Sequence, residues 1–252
     1  MRRRPAASLL AGLLVAGLLS VGLLAACGGR EEEAPPPDLP PPPPARVVSL
    51  YLAVAFGDRH GAPHATLRRW SRPVRIALAG EPIPEDRSYV RAAARRLGRW
   101  TGGVPLSVVD DEAAEVELRF VPPEDYPRHV DGVVPLGDGG PLGWFAAEAG
   151  ADGRLTGCRA LLPAGESVPQ YQRLNLILEA LVGCLGLAGT APRPFESVFY
   201  AGRNWYEVDF APVDREVIRL HHAPDLAPGM TRAEVGAALR ARLEASGPAY
   251  SR

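Results

Sequence analysis

An acidic residue stands inside an apolar helical stretch, where a charge is unusual. Glu179 lies between Leu178 and Leu181. A partly buried carboxyl group there takes on the shifted pKa of a catalytic acid or base. The same group also suits a structural hydrogen bond or a solvent-exposed helix face. Glu179 is therefore the candidate catalytic residue, and these structural roles stay open.

The histidines show no spacing that would hold a metal ion. They are His60, His64, His129, His221 and His222. His60 and His64 are four residues apart, but Pro63 disfavours the helix that would bring their rings together. His221 and His222 are adjacent, so a helix would direct their rings apart. The pattern predicts neither a metal nor a cofactor.

The first cysteine ends a typical lipoprotein signal. Arg2 to Arg4 supply positive charge, residues 9–24 form an apolar run, and Leu24-Ala-Ala-Cys27 places small residues before a cleavage site. This run has sixteen residues, whereas a membrane-spanning helix needs about 20 residues. The sequence predicts a signal peptide over residues 1–26 and acylation, palmitate included, at Cys27. An ordinary secretory signal and an uncleaved anchor are the alternatives.

A tether is predicted to follow the acylated cysteine. Residues 30–45 contain eight prolines and three consecutive glutamates without apolar periodicity, a composition that favours extended polyproline II over a packed core. We interpret residues 27–45 as this tether, with proline-rich peptide recognition as the alternative. Residues 46–252 are long enough for a single domain. Gly28, where some lipoproteins have aspartate, favours the outer membrane, facing the periplasm.

Charge and the remaining cysteines bound the partners. The chain carries a net charge of −1, and removal of the three leader arginines leaves −4, which argues against nucleic acid. The membrane is expected as a partner through the lipid on Cys27, and an envelope protein or peptide is the candidate ligand. Cys158 and Cys184 form either a disulfide, which an oxidising envelope permits, or a pair of buried thiols.

Hydrophobic periodicity predicts the order strand, helix, strand, strand, hairpin, helix, loop, helix, helix. The strands are 74–78, 105–109, 115–121 and a hairpin of 142–149 with 155–162 around Asp152-Gly153. Helices are predicted over 88–100 and 214–222. Another begins with a capping box of Ser167 and Gln170 and ends near 186, and the last begins with a capping box of Thr231 and Glu234. Residues 47–56 are apolar and receive no element. This is an α+β fold with a mixed sheet.

Several segments in this order resemble the zincin fold, and within it the metzincin-type metalloproteases. Residues 114–120 are similar to a sheet strand of the matrix metalloproteases, and residues 140–146 to their edge strand. The central helix ends in Leu-Gly-Leu at 185–187, Ser-Val-Phe at 197–199 stands where a Met-turn is expected, and 214–221 are similar to the last helix. The resemblance implies a twisted mixed sheet with an antiparallel edge hairpin, packed against a long central helix and C-terminal helices. It also implies a ligand-strand edge at Leu142, Gly143, Trp144 and Phe145.

A closer resemblance is to an uncharacterised bacterial family of lipoproteins whose degenerate zincin-like domain lacks the zinc-binding histidines. It rests on Arg-Trp-x-x-Pro at 69–73, a helix segment at 179–187, Ser-Val-Phe at 197–199 and Pro-Gly-Met-Thr at 228–231. The resemblance covers about residues 66–243.

An active metzincin carries three histidine ligands and a catalytic glutamate. Aligned on Gly186, the three ligand positions hold Glu179, Gly183 and Gly189, and Ala180 replaces the catalytic glutamate. If Glu179 is taken as the base instead, Leu178 and Val182 fall at ligand positions. Neither register provides a zinc site.

The resemblance therefore implies a non-catalytic binding or structural domain. A peptide or glycan hydrolase with a remodelled site is the alternative. It would use Glu179 with Glu196 or His221 as acid and base.

Overall fold

The computed structural model describes residues 44–110, 113–129, 143–165, 168–202 and 208–245, and within them five strands form one mixed sheet. The strands are β1 Val74–Gly80, β2 Leu106–Val109, β3 Val116–Val121, β4 Trp144–Ala149 and β5 Leu155–Pro163. Their order is β2-β1-β3-β5-β4. Neighbours are parallel except for β4, which pairs antiparallel with β5. The predicted α+β class and the predicted hairpin are both confirmed.

The two faces of the sheet differ because side chains alternate along each strand. One row crosses the sheet through Ile76, Val116 and Cys158, which are all buried. The adjacent row places Glu117 beside Arg159, and Arg159 is exposed. The sheet therefore buries one face against helices and turns a charged face outward.

Six helices occur in the described residues: α1 Pro44–Phe56, α2 Pro84–Trp100, α3 Tyr126–His129, α4 Gln170–Cys184, α5 Pro212–His221 and α6 Arg232–Ala245. Helix α4 packs against β4 and β5, α2 packs against β2, and α1 packs against α5 and α6. No helix in this part of the chain has the length and hydropathy needed to cross a bilayer. Cys27 and the segment predicted as a signal peptide lie outside the described residues.

Helix α1 corrects the element order predicted from the sequence. The apolar stretch that received no element is helical, and its buried side chains are Val47, Leu50, Tyr51 and Val54. These positions follow the spacing i, i+3, i+4, i+7, which places them along one face of a helix. The general apolarity of residues 47–56 obscured this periodicity, because Val48, Leu52 and Ala53 are also apolar but only half-buried.

Of the two predicted capping boxes, one is confirmed and one is wrong. The backbone N–H of Thr231 donates to Glu234 at 2.7 Å, and the N–H of Glu234 donates to the Thr231 hydroxyl at 3.3 Å. Helix α4 instead begins at Gln170 with Pro169 as its N-cap. Ser167 lies outside the described residues. Helix α4 therefore starts one residue after a proline, without a side-chain cap.

A disulfide links the sheet to α4. Cys158 of β5 and Cys184 of α4 are bonded, with Cα atoms 5.5 Å apart and a separation of 26 residues along the chain. Both residues are buried. The bond therefore fixes the carboxyl end of α4 against β5, the strand next to the sheet edge, where the two elements already pack.

A buried ion pair fixes the opposite end of α4. Arg173 donates from Nε to Asp86 at 2.7 Å, and the exposed fractions of the two side chains are 3% and 0%. Asp86 also accepts from the N–H of Ile83 at the start of α2. Arg173 donates further to the carbonyls of Gly165 and Val168. The pair therefore joins the amino ends of α2 and α4.

We expect Arg173→Met to lower the free energy of unfolding by about 3–5 kcal/mol, because it leaves the Asp86 carboxylate buried without its cation. Urea denaturation measures this loss. Arg91→Met is the matched control, since Arg91 is an exposed arginine of α2, and it should cost no more than about 0.5 kcal/mol. Equal stabilities of the two variants would contradict the structural role of the pair.

Candidate functional site

Glu179 lies on a partly exposed face of α4 and forms an ion pair with an arginine. Its side chain is 15% exposed, whereas its neighbours Leu178 and Ala180 are buried. Arg59 donates from Nη1 to the Glu179 carboxylate at 2.8 Å and from Nη2 to the Tyr200 carbonyl at 3.4 Å. Burial raises the pKa of Glu179, and the Arg59 guanidinium opposes that rise. The candidate catalytic carboxyl is thus the partner of a guanidinium.

Phe145 fills the space beside Gly183, the second expected ligand position. A Cβ atom built on Gly183 would stand 2.3 Å from the Phe145 ring, so only glycine permits this contact. The edge of the same ring system meets His60, with ring centroids 4.8 Å apart. Phe145 therefore directs its side chain onto α4, and a ligand at the strand edge would meet its backbone.

Helix α1 covers Gly189, the third expected ligand position. A Cβ atom on Gly189 would stand 2.4 Å from the Ala53 carbonyl and 2.8 Å from the Cα of Val54. The N–H of Gly189 donates to the Val54 carbonyl at 2.8 Å. The backbones of the two segments are therefore in direct contact. A larger side chain at Gly189 would separate α1 from the turn that follows α4.

One N-terminal segment follows α1 and lies over the site. We call residues 57–64 the strap. The N–H of Arg59 donates to the Ala188 carbonyl at 2.8 Å, and the N–H of His64 donates to the Phe56 carbonyl at 2.9 Å. These backbone contacts hold the strap beside the end of α4. Arg59 and His60 thereby reach Glu179 and Phe145.

The histidines do not converge on one centre. His60 and His64 lie near Asp58, whose carboxylate accepts from the His60 N–H at 2.8 Å and lies 3.5 Å from His64 Nε2. Burial lowers the pKa of His60 to about 4 and also lowers that of His64. Both rings are therefore neutral near pH 7. His129 ends α3 and is exposed.

His221 and His222 are buried, which corrects the expectation that the helix would separate their rings. His221 Nε2 lies 3.0 Å from the Leu185 carbonyl, and His221 Nδ1 lies 3.3 Å from the Tyr51 hydroxyl. His222 leaves the helix as its C-cap, so the two rings meet with centroids 5.1 Å apart. Burial lowers the pKa of His222 to about 3 and that of His221 well below its usual value.

The acid–base partners proposed for Glu179 are not in contact with it. His221 is engaged with Tyr51 and Leu185, and Glu196 is exposed. In the described ranges, no group of three or more histidine, cysteine, aspartate or glutamate side chains is arranged to hold a metal ion. The residues that accompany Glu179 are instead Arg59 and the Tyr200 carbonyl.

Ser197 and Asp214 hold the loop at the expected Met-turn. The Ser197 hydroxyl donates to Asp214, which also accepts from the N–H groups of Val198 and Ala211 at 3.1 and 2.9 Å. Asp214 is fully buried. Burial raises its pKa to about 7, although the three donors act in the opposite direction. This carboxyl group fixes the loop to α5.

The edge strand ends the sheet, as the resemblance implies. Leu142 lies outside the described residues, and Gly143 contacts Leu176 of α4. Trp144 packs on the opposite face of the sheet against Tyr126 and Leu161. Among the described strands, β4 pairs with β5 alone. One row of β4 backbone groups therefore faces away from the sheet.

A comparison with protein-family models matches residues 44–241 to DUF2927, described as a protein of unknown function. The chain belongs to the DUF2927 family. The match begins with α1 and ends within α6, so it includes the strap, β4 and α4. A search of the curated proteins finds no match.

Sequence analysis missed two parts of the site of this DUF2927 domain. Arg59 follows Gly57-Asp58 in a loop, and a lone loop arginine gives no signal of its partner. Phe145 was predicted only as part of the strand edge. One signal was available: Gly183 stands within a run of large apolar residues, where a glycine often marks the close approach of another group.

We expect Gly183→Ala to destabilise the DUF2927 domain by about 1–3 kcal/mol, because the added methyl group overlaps the Phe145 ring. Gly98→Ala in α2 is the control, since a Cβ atom there would meet its nearest neighbour at 3.8 Å. The control should be neutral or stabilising by up to about 1 kcal/mol.

Combining Gly183→Ala with Phe145→Leu should cost less than the sum of the two single changes, since the smaller side chain makes room for the methyl group. Chemical denaturation of the four proteins measures this coupling. Strict additivity would show that the ring does not limit position 183.

Proposed function

We propose that this protein is a lipid-anchored component of the cell envelope whose domain derives from a zincin and binds an extended peptide without cleaving it. One observation carries the proposal. The three expected zinc-ligand positions are filled by the Glu179–Arg59 pair, by Phe145 against Gly183 and by α1 against Gly189. Protein groups already occupy the places that a metal site would need, while the strand edge above them has no neighbour among the described strands.

The topology supports a zincin origin. A mostly parallel sheet has β4 as its antiparallel edge, and α4 crosses its buried face. The helix ends in Leu185-Gly186-Leu187, and Gly186 has a φ of +98°, the left-handed conformation that turns the chain sharply. Ser197 and Asp214 join the expected Met-turn to the last expected helix. These features occur in the order that the resemblance implies.

The edge strand supports peptide binding by addition of a strand. An extended peptide pairs with an exposed sheet edge through its main chain, and neighbouring pockets select its side chains. Ala146 and Glu148 of β4 are exposed, and among the described strands β4 pairs with β5 alone. A ligand here would lie over the side of α4 that carries Glu179.

Two independent features support an envelope location. The chain starts with a charged, then apolar segment that ends in Leu24-Ala-Ala-Cys27. The Cys158–Cys184 disulfide lies in the interior of the domain, and structural disulfides are typical of oxidising compartments. Gly28 after the acylated cysteine agrees with an outer-membrane location facing the periplasm.

We expect Cys27→Ala to move the protein from the membrane fraction to the soluble fraction of the envelope, because the thiol that carries the lipid is gone. Fractionation and mass spectrometry of the mature N-terminus measure this change. Ser49→Ala, a substitution in α1, is the control and should leave the protein in the membrane fraction. Lipid anchoring would be contradicted if the parent protein proved unacylated at Cys27 and the Cys27→Ala variant stayed in the membrane fraction.

Peptide binding is tested with prolines placed singly at Ala146 and Ala147 and an array of extended decapeptides. The N–H groups of successive residues in a strand point to opposite edges. Proline at the position whose N–H faces outward removes a donor to the ligand, and proline at the other position interrupts pairing with β5. The outward-facing proline should lower the affinity of retained peptides at least tenfold and leave the unfolding behaviour normal.

The matched variants Ala146→Val and Ala147→Val keep both N–H groups and should bind as the wild type does. Binding by both proline variants at wild-type affinity, or no peptide retained by the wild type, would overturn the proposal.

A remodelled hydrolase is the second candidate, favoured by the raised pKa of a partly exposed glutamate. Turnover of mixed peptide or glycan substrates by the wild type, lost in Glu179→Gln, would decide for it. Binding without turnover would decide for the non-catalytic domain.

A further inference from the structure

The strap supplies the side chains that contact Glu179 and Phe145. Its Arg59 side chain contacts Glu179, its His60 ring contacts Phe145, and both lie beside β4 and α4. The segment is fastened to the protein by the backbone contact of Arg59 with Ala188. A piece of the chain itself therefore supplies the basic side chain and the ring that meet this surface.

The contacts of Arg59 describe a site for a guanidinium group. The Glu179 carboxylate accepts from one terminal nitrogen at 2.8 Å, and the Tyr200 carbonyl faces the other at 3.4 Å. A carboxylate and a carbonyl match the planar array of guanidinium donors. The Arg59 side chain is 24% exposed, so it is partly accessible to solvent.

The environment of Glu179 selects for a cation. The carboxylate is mostly removed from water, and a charge in such a place requires a paired charge or a proton. A ligand that brings its own positive charge can displace Arg59 and leave the carboxylate ionised and paired. A neutral side chain would require Glu179 to take up a proton, and an acidic one would repel the carboxylate.

An aromatic surface adjoins this site. The Tyr200 ring meets Phe195 with centroids 5.1 Å apart, and the Arg193 guanidinium lies 4.8 Å from the Phe195 centroid. Phe195 is 48% exposed. Tyr200 thus belongs both to this aromatic surface and, through its carbonyl, to the contacts of Arg59.

We propose that Glu179 and the Tyr200 carbonyl form a subsite for the basic side chain of an extended peptide, which Arg59 occupies until the peptide replaces it. The inference rests on the proposed peptide-binding function and names its specificity. An intramolecular occupant competes at an effective concentration in the millimolar range. Removing it should therefore strengthen binding of an arginine-bearing peptide.

The test uses the full chain and an acetylated seven-residue peptide of alternating threonine and valine with arginine at its centre. Arg59→Ala should bind this peptide at least tenfold tighter than the wild type in isothermal titration calorimetry. Citrulline in place of the central arginine keeps the shape and removes the charge, and it should lose that gain. Arg59→Ala with Glu179→Gln should lose it too.

Two further variants keep the test decisive. Arg59→Met retains the packing of the stem and has no donor for Glu179, so it replaces Arg59→Ala if the alanine variant does not fold. Arg91→Ala, at an exposed position of α2, should bind as the wild type does.

The outcomes separate the inference from the proposed function. If the peptide binds and depends on the N–H groups of β4, but arginine and citrulline are equivalent, the subsite is wrong and strand addition stands. Arg59→Ala, or Arg59→Met in its place, that binds no tighter than the wild type also overturns the subsite. No binding of either peptide to any variant overturns both.

Discussion

The carboxyl end of α4 is the point on which the other elements depend. The last carbonyls of a helix have no partners within it and must find them elsewhere. Trp70 donates to the Cys184 carbonyl at 2.8 Å, and the His221 ring meets the Leu185 carbonyl at 3.0 Å. A Cβ atom on Gly186 would stand 2.2 Å from the Arg68 carbonyl. The segment before β1 and helix α5 are thereby fixed to one turn.

The same turn also determines where the Arg59–Glu179 pair forms. After Gly186 the chain reaches Gly189, whose N–H donates to Val54 and whose missing side chain lets α1 approach. Helix α1 ends at Phe56, and the strap then delivers Arg59 to Glu179, about two helical turns back from Gly186 along α4. The ion pair is thus a consequence of how α1 docks, and a longer side chain at Gly189 would disturb it from a distance.

The sheet was predictable because its strands alternate apolar and polar residues and have turn residues between them, as Val116 to Phe120 illustrate. Helix α1 was not, since apolar side chains at Val48 and Leu52 hid its period. The site was predictable only in part. The central helix identified Glu179 as an acid in apolar surroundings, but its partner Arg59 is 120 residues away. Such a contact follows from tertiary packing, as does the disulfide of Cys158 and Cys184, which the sequence left open.

The three expected ligand positions are in contact with groups from three different segments: the strap, β4 and α1. These contacts limit what the site around Glu179 can do. A histidine at Gly183 would have to displace Phe145, one at Gly189 would displace α1, and one at Glu179 would leave Arg59 without its carboxylate. Each change disturbs packing or charge on its own, because interiors tolerate little extra volume and unpaired buried charge is costly. A single substitution to histidine therefore does not build a metal site. Recognition of a cation by Glu179, with the backbone of β4 orienting the rest of a peptide, is the role we propose because it keeps all three of these contacts or exchanges only one of them.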